Sequence, residues 1–185
     1  MSSSQRTPSR EALSLHLQRL VIAGLLAALS ILCGKYLAIR GGDVLRFSFE
    51  NLPILLAGFA LGPLTGLLVG VVADLVGCLM VGYTINPVVT LGAAAIGLLG
   101  GLAFRLLRRL PLVWRVTLAS VVAHAVGSVL IKTPGLASYY AMPLSALFLW
   151  RTLNYAMILA LEIPLLCLLL RQTAIRRSLS RFGML

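Results

Sequence analysis

Asp74 is the only charged side chain between Asn51 and Phe104, a run of 54 residues. Aspartate at the centre of a membrane-spanning helix costs roughly 2.5–3.5 kcal/mol on insertion scales, so an acid retained there is a functional candidate. Its carboxylate can accept N–H groups from a polar ligand. Other polar side chains recur at helical spacing. Ser120, His124 and Ser128 share one face at i, i+4 and i+8, and Arg151, Asn154, Tyr155, Ile158 and Glu162 share another, with Arg151 outermost. Several segments thus aim donors and acceptors at a common interior, where lipid could not satisfy them. A structural duty competes with a functional one at each position. Asp74 could be a purely structural acid, His124 a satisfied core histidine, and Glu162 half of a deep hydrogen bond or ion pair. Arg151, near a helix end, could be an interfacial anchor, as could Lys35 and Lys132.

No catalytic set emerges from these residues. The chain has no H-E-x-x-H, no G-x-S-x-G and no paired Cys/His nucleophile, and two histidines, His16 and His124, cannot build a metal centre. It also has no G-x-x-x-x-G-K-[ST] loop, so ATP, if transport uses it, is hydrolysed by another chain, and no cofactor is expected here. Cys33, Cys78 and Cys167 lie in apolar stretches without metal-ligand spacing and read as small core hydrophobes. Asp74 and Glu162 come nearest to a convergent acid–base pair. That keeps a small polytopic membrane enzyme, or a structural membrane subunit, as readings from other classes.

The elements that must carry these groups follow from hydropathy. A composition of 59% hydrophobic and 11% charged residues, with mean hydropathy +0.99, excludes an ordinary soluble domain. One bilayer crossing needs about 20 apolar residues at ~1.5 Å rise, so the run around Asp74 must hold several helices. The expected fold class is all-α, an integral membrane bundle of six transmembrane helices at residues 18–39, 49–61, 63–82, 87–107, 114–131 and 144–171. A polar tail, 1–17, precedes this 18–171 domain and a basic tail, 172–185, follows it. The basic stretch ahead of the first apolar run lacks a cleavage site, so that run reads as a retained first helix. Asp74, eleven residues from Pro63, lies roughly 16 Å along a helix about 30 Å long, near the bilayer midplane. Eleven of the sixteen basic residues fall in three groups, at Arg6–Arg19, Arg105–Arg115 and Arg171–Arg181. This positive-inside bias predicts a multi-pass cell-membrane protein with both termini cytoplasmic, and it accounts for the +11 charge without nucleic acid. Small residues recur every fourth position: Ala23 and Ala27; Gly58, Gly62, Gly66 and Gly70; Ala93, Gly97 and Gly101. Such stripes let helix backbones approach closely in lipid.

The segment Leu45-Arg-Phe-Ser-Phe-Glu-Asn-Leu-Pro53, followed by Gly62-Pro63, Gly66, Gly70 and Ala73-Asp-Leu-Val-Gly77, resembles the substrate-binding S components of energy-coupling factor (ECF) transporters. The continuation Gly82-Tyr-Thr-Ile-Asn-Pro87, His124-Ala-Val-Gly-Ser128, Lys132-Thr133 and Leu149-Trp-Arg-Thr-Leu-Asn-Tyr155 is similar to the folate subfamily. One departure is Ile85-Asn86-Pro87-Val88-Val89, where many folate members carry Phe-Pro-Gly-Phe-Thr. The resemblance implies a six-helix bundle that captures its vitamin from outside. It also implies docking, through Ala23 and Ala27 of the first helix, to a transmembrane coupling subunit. Two ATPase subunits would then power toppling of the bundle and release of the ligand inward. Folate or a reduced folate is the expected ligand; pantothenate, a thiamine precursor or a queuosine precursor is the alternative.

Folate chemistry fits the residues. Asp74 could accept from the N–H edge of the pterin, and Arg46, Lys132 or Arg151 could pair the carboxylates of the glutamate tail. Tyr83, Phe47, Trp150 or Tyr155 could stack on the ring. With Asn86, Asn154 and His124, and leaving Trp150 aside, these residues make up the expected binding set.

Overall fold

The computed structural model describes residues 10–41, 45–137 and 143–172. Along the chain come α1 (Arg10–Ile31) with a π-helical extension (Leu32–Tyr36), β1 (Ile39–Gly41), β2 (Leu45–Phe47), α2 (Asn51–Leu61), α3 (Pro63–Met80) and α4 (Pro87–Leu106). Then follow α5 (Leu112–Ala123), a π-helical continuation of it (His124–Ile131), α6 (Lys132–Ala137) and α7 (Leu144–Arg171). The bundle is helical as the composition predicts, with one addition: β1 and β2 pair antiparallel, Arg40 opposite Arg46.

Among the described residues five helical segments are long and apolar enough to cross a bilayer. The sixth, α2, has 11 residues, about 16 Å at ~1.5 Å per residue. Pro53 to Leu61 are all buried, so α2 is sheathed by its neighbours rather than by lipid, which suits a helix apolar all round. Boundaries depart from expectation at two places. The first helix begins at Arg10, eight residues early, because residues 10–17 are rich in strong helix formers, and it yields to a π turn at Leu32. The fifth helix runs on through α6 into the segment expected as the loop 132–143. Residues 1–9, Gly42 and Asp43, Tyr139 and Tyr140, and the tail beyond Gln172 lie outside the described residues.

Turns follow local chemistry. Gly62, at φ 106°, supplies a backbone conformation that other residues rarely adopt, and Pro63 opens α3 at its first position. Asn86 caps α4, its side-chain oxygen accepting from Val88 N–H at 3.0 Å, with Pro87 next in line. Guanidinium groups close two helix ends: Arg19 donates to Leu61 O at the end of α2, and Arg115 Nε donates to Phe104 O at 2.5 Å near the end of α4.

The glycine stripes pack internally. A Cβ on Gly58 would lie 2.6 Å from Gly97 O, and one on Gly101 would lie 2.8 Å from Gly58 O, so α2 and α4 meet backbone to backbone. Gly66 and Gly97 bring α3 and α4 equally close. Phe59 and Phe104 stack at 4.4 Å beneath this contact, with Leu55, Ile96 and Leu166 fully buried around them. Leucines such as Leu20, Leu64 and Leu106 are exposed and make up the lipid-facing belt. The pair expected to dock a partner does not face outward. Ala27 is buried in the core and Ala23 packs against it, because the stripe that α1 leaves open is Gly24, Leu25 and Ala28.

Candidate functional site

Four charged side chains converge on one small cavity. Lys35 comes from the π turn after α1, Glu50 from the residue before α2, Asp74 from the middle of α3 and Lys132 from the start of α6. Ser30 lies beside them, and Ile31 and Ile54 add apolar wall. The enclosed space is about 20 Å³. A larger concavity of about 530 Å³ beside Leu13, Leu17 and Val21 of α1 is open and has no charged lining, so it offers nothing to hold an ionic ligand.

Glycines admit three of the four charges. A Cβ on Gly77 of α3 would lie 2.8 Å from Lys35 Cε, and one on Gly34 would lie 2.8 Å from Glu50 Cβ. A Cβ on Gly92 of α4 would run into the stem of Lys132. Each glycine is a slot through which a long side chain passes a neighbouring helix. The π turns set the phase. A wider turn alters the direction in which following side chains emerge, so Lys35 and Lys132 point inward where regular counting put them at the interface. Their expected role as interfacial anchors is thereby corrected; Lys132 is 4% exposed.

The charges are not equally satisfied. Lys132 Nζ stands 3.5 Å from Glu50 Oε1. Asp74 accepts from Thr90 Oγ1 at 2.7 Å, a stronger use of that single hydroxyl proton than the 3.2 Å contact to Asn86 O. Lys35 Nζ lies 3.6 Å from Cys78 Sγ and 5.6 Å from the centre of the Tyr83 ring. Among the described residues neither Asp74 nor Lys35 has an opposite charge at ion-pair distance. The cavity thus presents an acceptor for N–H donors and an ammonium for an acid, with an aromatic ring beside the ammonium.

The remaining expected residues go elsewhere. His124, 1% exposed, commits Nε2 to Glu162 Oε2 at 2.7 Å and Nδ1 to Ser128 Oγ at 3.1 Å. Arg151 donates to Thr133 Oγ1 at 3.0 Å, to Ser128 O at 3.3 Å and to Tyr155 OH at 3.3 Å. These bonds knit α7 to the α5–α6 segment, and His124, Arg151, Asn154 and Tyr155 do not line the cavity. Asn86, besides capping α4, donates to Gly135 O at 2.6 Å. Phe47 packs edge-on to Phe49 at 5.8 Å, Trp150 is exposed on α7, and Arg46 sits in β2 with its side chain outside the described residues. Of the expected set, Asp74 and Lys132 line the cavity and Tyr83 stands beside Lys35. Sequence reasoning missed Glu50, Ser30 and Thr90, and gave Lys35 another duty. A usable signal was present: Gly77 falls off the every-fourth-residue stripes, and what a Cβ there would meet is side chain, Lys35 and Ile31, rather than helix backbone.

A family model described as ECF transporter, substrate-specific component, matches residues 18–170. No curated protein matches the chain. The fold is similar to that of FolT in its crystal structure with folic acid, at TM-score 0.64 and 22% identity over 80% of this chain and 90% of that one. It is also similar to the S-component for biotin from an ECF-type ABC transporter, at TM-score 0.68 and 13% identity over 90% and 96%. The S component of a bacterial ECF transporter aligns at TM-score 0.59 and 21% identity over 85% and 99%.

Proposed function

Since the chain belongs to the substrate-specific components of ECF transporters and is thus a multi-pass transport subunit rather than an enzyme, we propose that the substrate it captures is a folate. The observation that carries this reading is that Asp74 and Lys35 line one cavity, neither at ion-pair distance from an opposite charge among the described residues. A pterin has an N–H edge for the Asp74 carboxylate and a flat ring for Tyr83, and the glutamate tail has acid groups for Lys35 and Lys132. Likeness to FolT with folic acid adds support at the level of fold. Biotin is the second reading, because its S-component has the higher TM-score and its ureido and acid groups could use the same two charges.

Uptake follows the family pattern in this proposal: the vitamin is bound from outside, and a transmembrane coupling subunit with two ATP-hydrolysing subunits drives its release inward. The basic clusters put both termini in the cytoplasm. Docking uses the open α1 stripe at Gly24 and Ala28, since Ala23 and Ala27 are turned into the bundle.

Titration calorimetry on the chain in lipid nanodiscs tests the substrate. Folic acid is expected to bind, and Asp74→Asn to weaken it by about ten- to a hundredfold, the worth of one charge-assisted hydrogen bond of roughly 1.5–3 kcal/mol. Binding of biotin, pantothenate or another vitamin with none of folic acid or its reduced forms would overturn the folate assignment and leave the family membership standing.

A further inference from the structure

Glu50 is the one charged cavity residue with no part in the ligand contacts above, and its placement is over-determined. Its carbonyl accepts from Ser30 Oγ at 2.6 Å, tying the start of α2 to α1. Its side chain passes the π turn through the Gly34 slot, where a Cβ would lie 2.7 Å from Oε2. Its carboxylate then meets Lys132, 82 residues away in sequence, at 3.5 Å. Burial of the pair is unequal: the Lys132 side chain is 5% exposed and that of Glu50 is 24% exposed. The acid therefore sits towards the rim and the ammonium is sunk in the wall.

A vitamin does not fit in about 20 Å³; ligand sites commonly enclose about 300–1,000 Å³. The walls must part, and the Lys132–Glu50 pair is the ionic contact joining the start of α2 to α6 across them. Separating a buried ammonium from its ion-pair partner is costly unless another anion arrives. A ligand carboxylate meets that condition. Glu50, a quarter exposed, reaches solvent at the rim, while Lys132 does not.

We infer that Glu50 is a place-holding residue of the binding site, its carboxylate holding on Lys132 the place that the ligand's own carboxylate takes during capture. The inference rests on the reading of this cavity as the vitamin site. A ligand with an acid group exchanges one carboxylate for another on Lys132, and the count of buried charges is unchanged. A neutral analogue offers Lys132 no anion, so it leaves the pair in place and finds little room. Selection for an acid thus comes from attraction to Lys132, and Glu50 sets what that attraction must first displace.

The test compares wild type, Glu50→Gln, Glu50→Ala and Lys132→Gln in nanodiscs, titrated with folic acid and pterin and with biotin and biotin amide. Removing the competitor by Glu50→Gln is expected to tighten the acid-bearing vitamin by about fivefold while the neutral analogue changes less than about twofold. Glu50→Ala should give the same gain, which covers poor folding of the glutamine variant. Lys132→Gln should erase the preference for the acid. Weaker or unchanged binding of the acid in both Glu50 variants overturns the proposal, as does equal tightening of the neutral analogue.

A second readout needs no vitamin. In a Cys33→Ser/Cys167→Ser background, Cys78, one turn from Asp74 and buried against Lys35, is alkylated with iodoacetamide. Glu50→Gln is expected to speed this by about fivefold, because local opening no longer breaks the pair. An unchanged rate overturns the role of Glu50 whatever ligand binds. A faster rate with no binding of folic acid or biotin instead faults the choice of vitamin alone.

Discussion

Both ring nitrogens of His124 are engaged, one by Glu162 and one by Ser128, and all three residues are buried. The two contacts leave neither ring nitrogen unsatisfied, as buried polar groups at this depth require. Loss of one partner strands the other. Glu162→Leu is therefore expected to destabilise the bundle by about 3–5 kcal/mol in detergent unfolding, and adding His124→Leu should restore most of that. Additive losses in the double variant would show that the two do not act as a pair. The sequence displayed each residue as polar on a helical face, but not the bond between them. They lie 38 positions apart on separate helices, and the π turn beginning at His124 shifts the phase that period counting assumes. Asp74 was legible for the opposite reason: a lone charge in an apolar run needs no partner to be conspicuous.

At the scale of helices, glycines serve two ends that substitution separates. Gly97 faces the backbone of Gly66, which cannot move aside, so Gly97→Val is expected to abolish folded, monodisperse protein on gel filtration. Gly77 faces the flexible end of Lys35, so Gly77→Ala should leave gel filtration unchanged. Calorimetry should then find folic acid bound about tenfold more weakly as the ammonium is deflected. Equal effects of the two changes would remove the distinction. The period-four stripes made α2, α3 and α4 readable as close neighbours before any coordinates. The slots were not readable, because what fills each one comes from a different element. The β1–β2 pair and α6 were likewise hidden, in segments too short for a period and broken by Gly, Pro or charged residues.

For the whole molecule, hydropathy sufficed to give a helical membrane bundle. The outward face of α1 needed the packed structure, since Ala23–Ala27 and Gly24–Ala28 have the same spacing one residue apart. Gly24→Trp or Ala28→Trp is expected to cut vitamin uptake by cells with the coupling module by at least about tenfold, with binding to the isolated chain retained. Ala27→Trp, forced into the core, should lose both. Retained uptake in the Gly24 and Ala28 variants would put the coupling surface on another helix. The slots also separate what holds this molecule up from what it picks out. If the proposed site holds, a rigid chassis of glycine-packed helices stays the same while the threaded tips decide the cargo, so such a carrier can be retooled one tip at a time without rebuilding its frame.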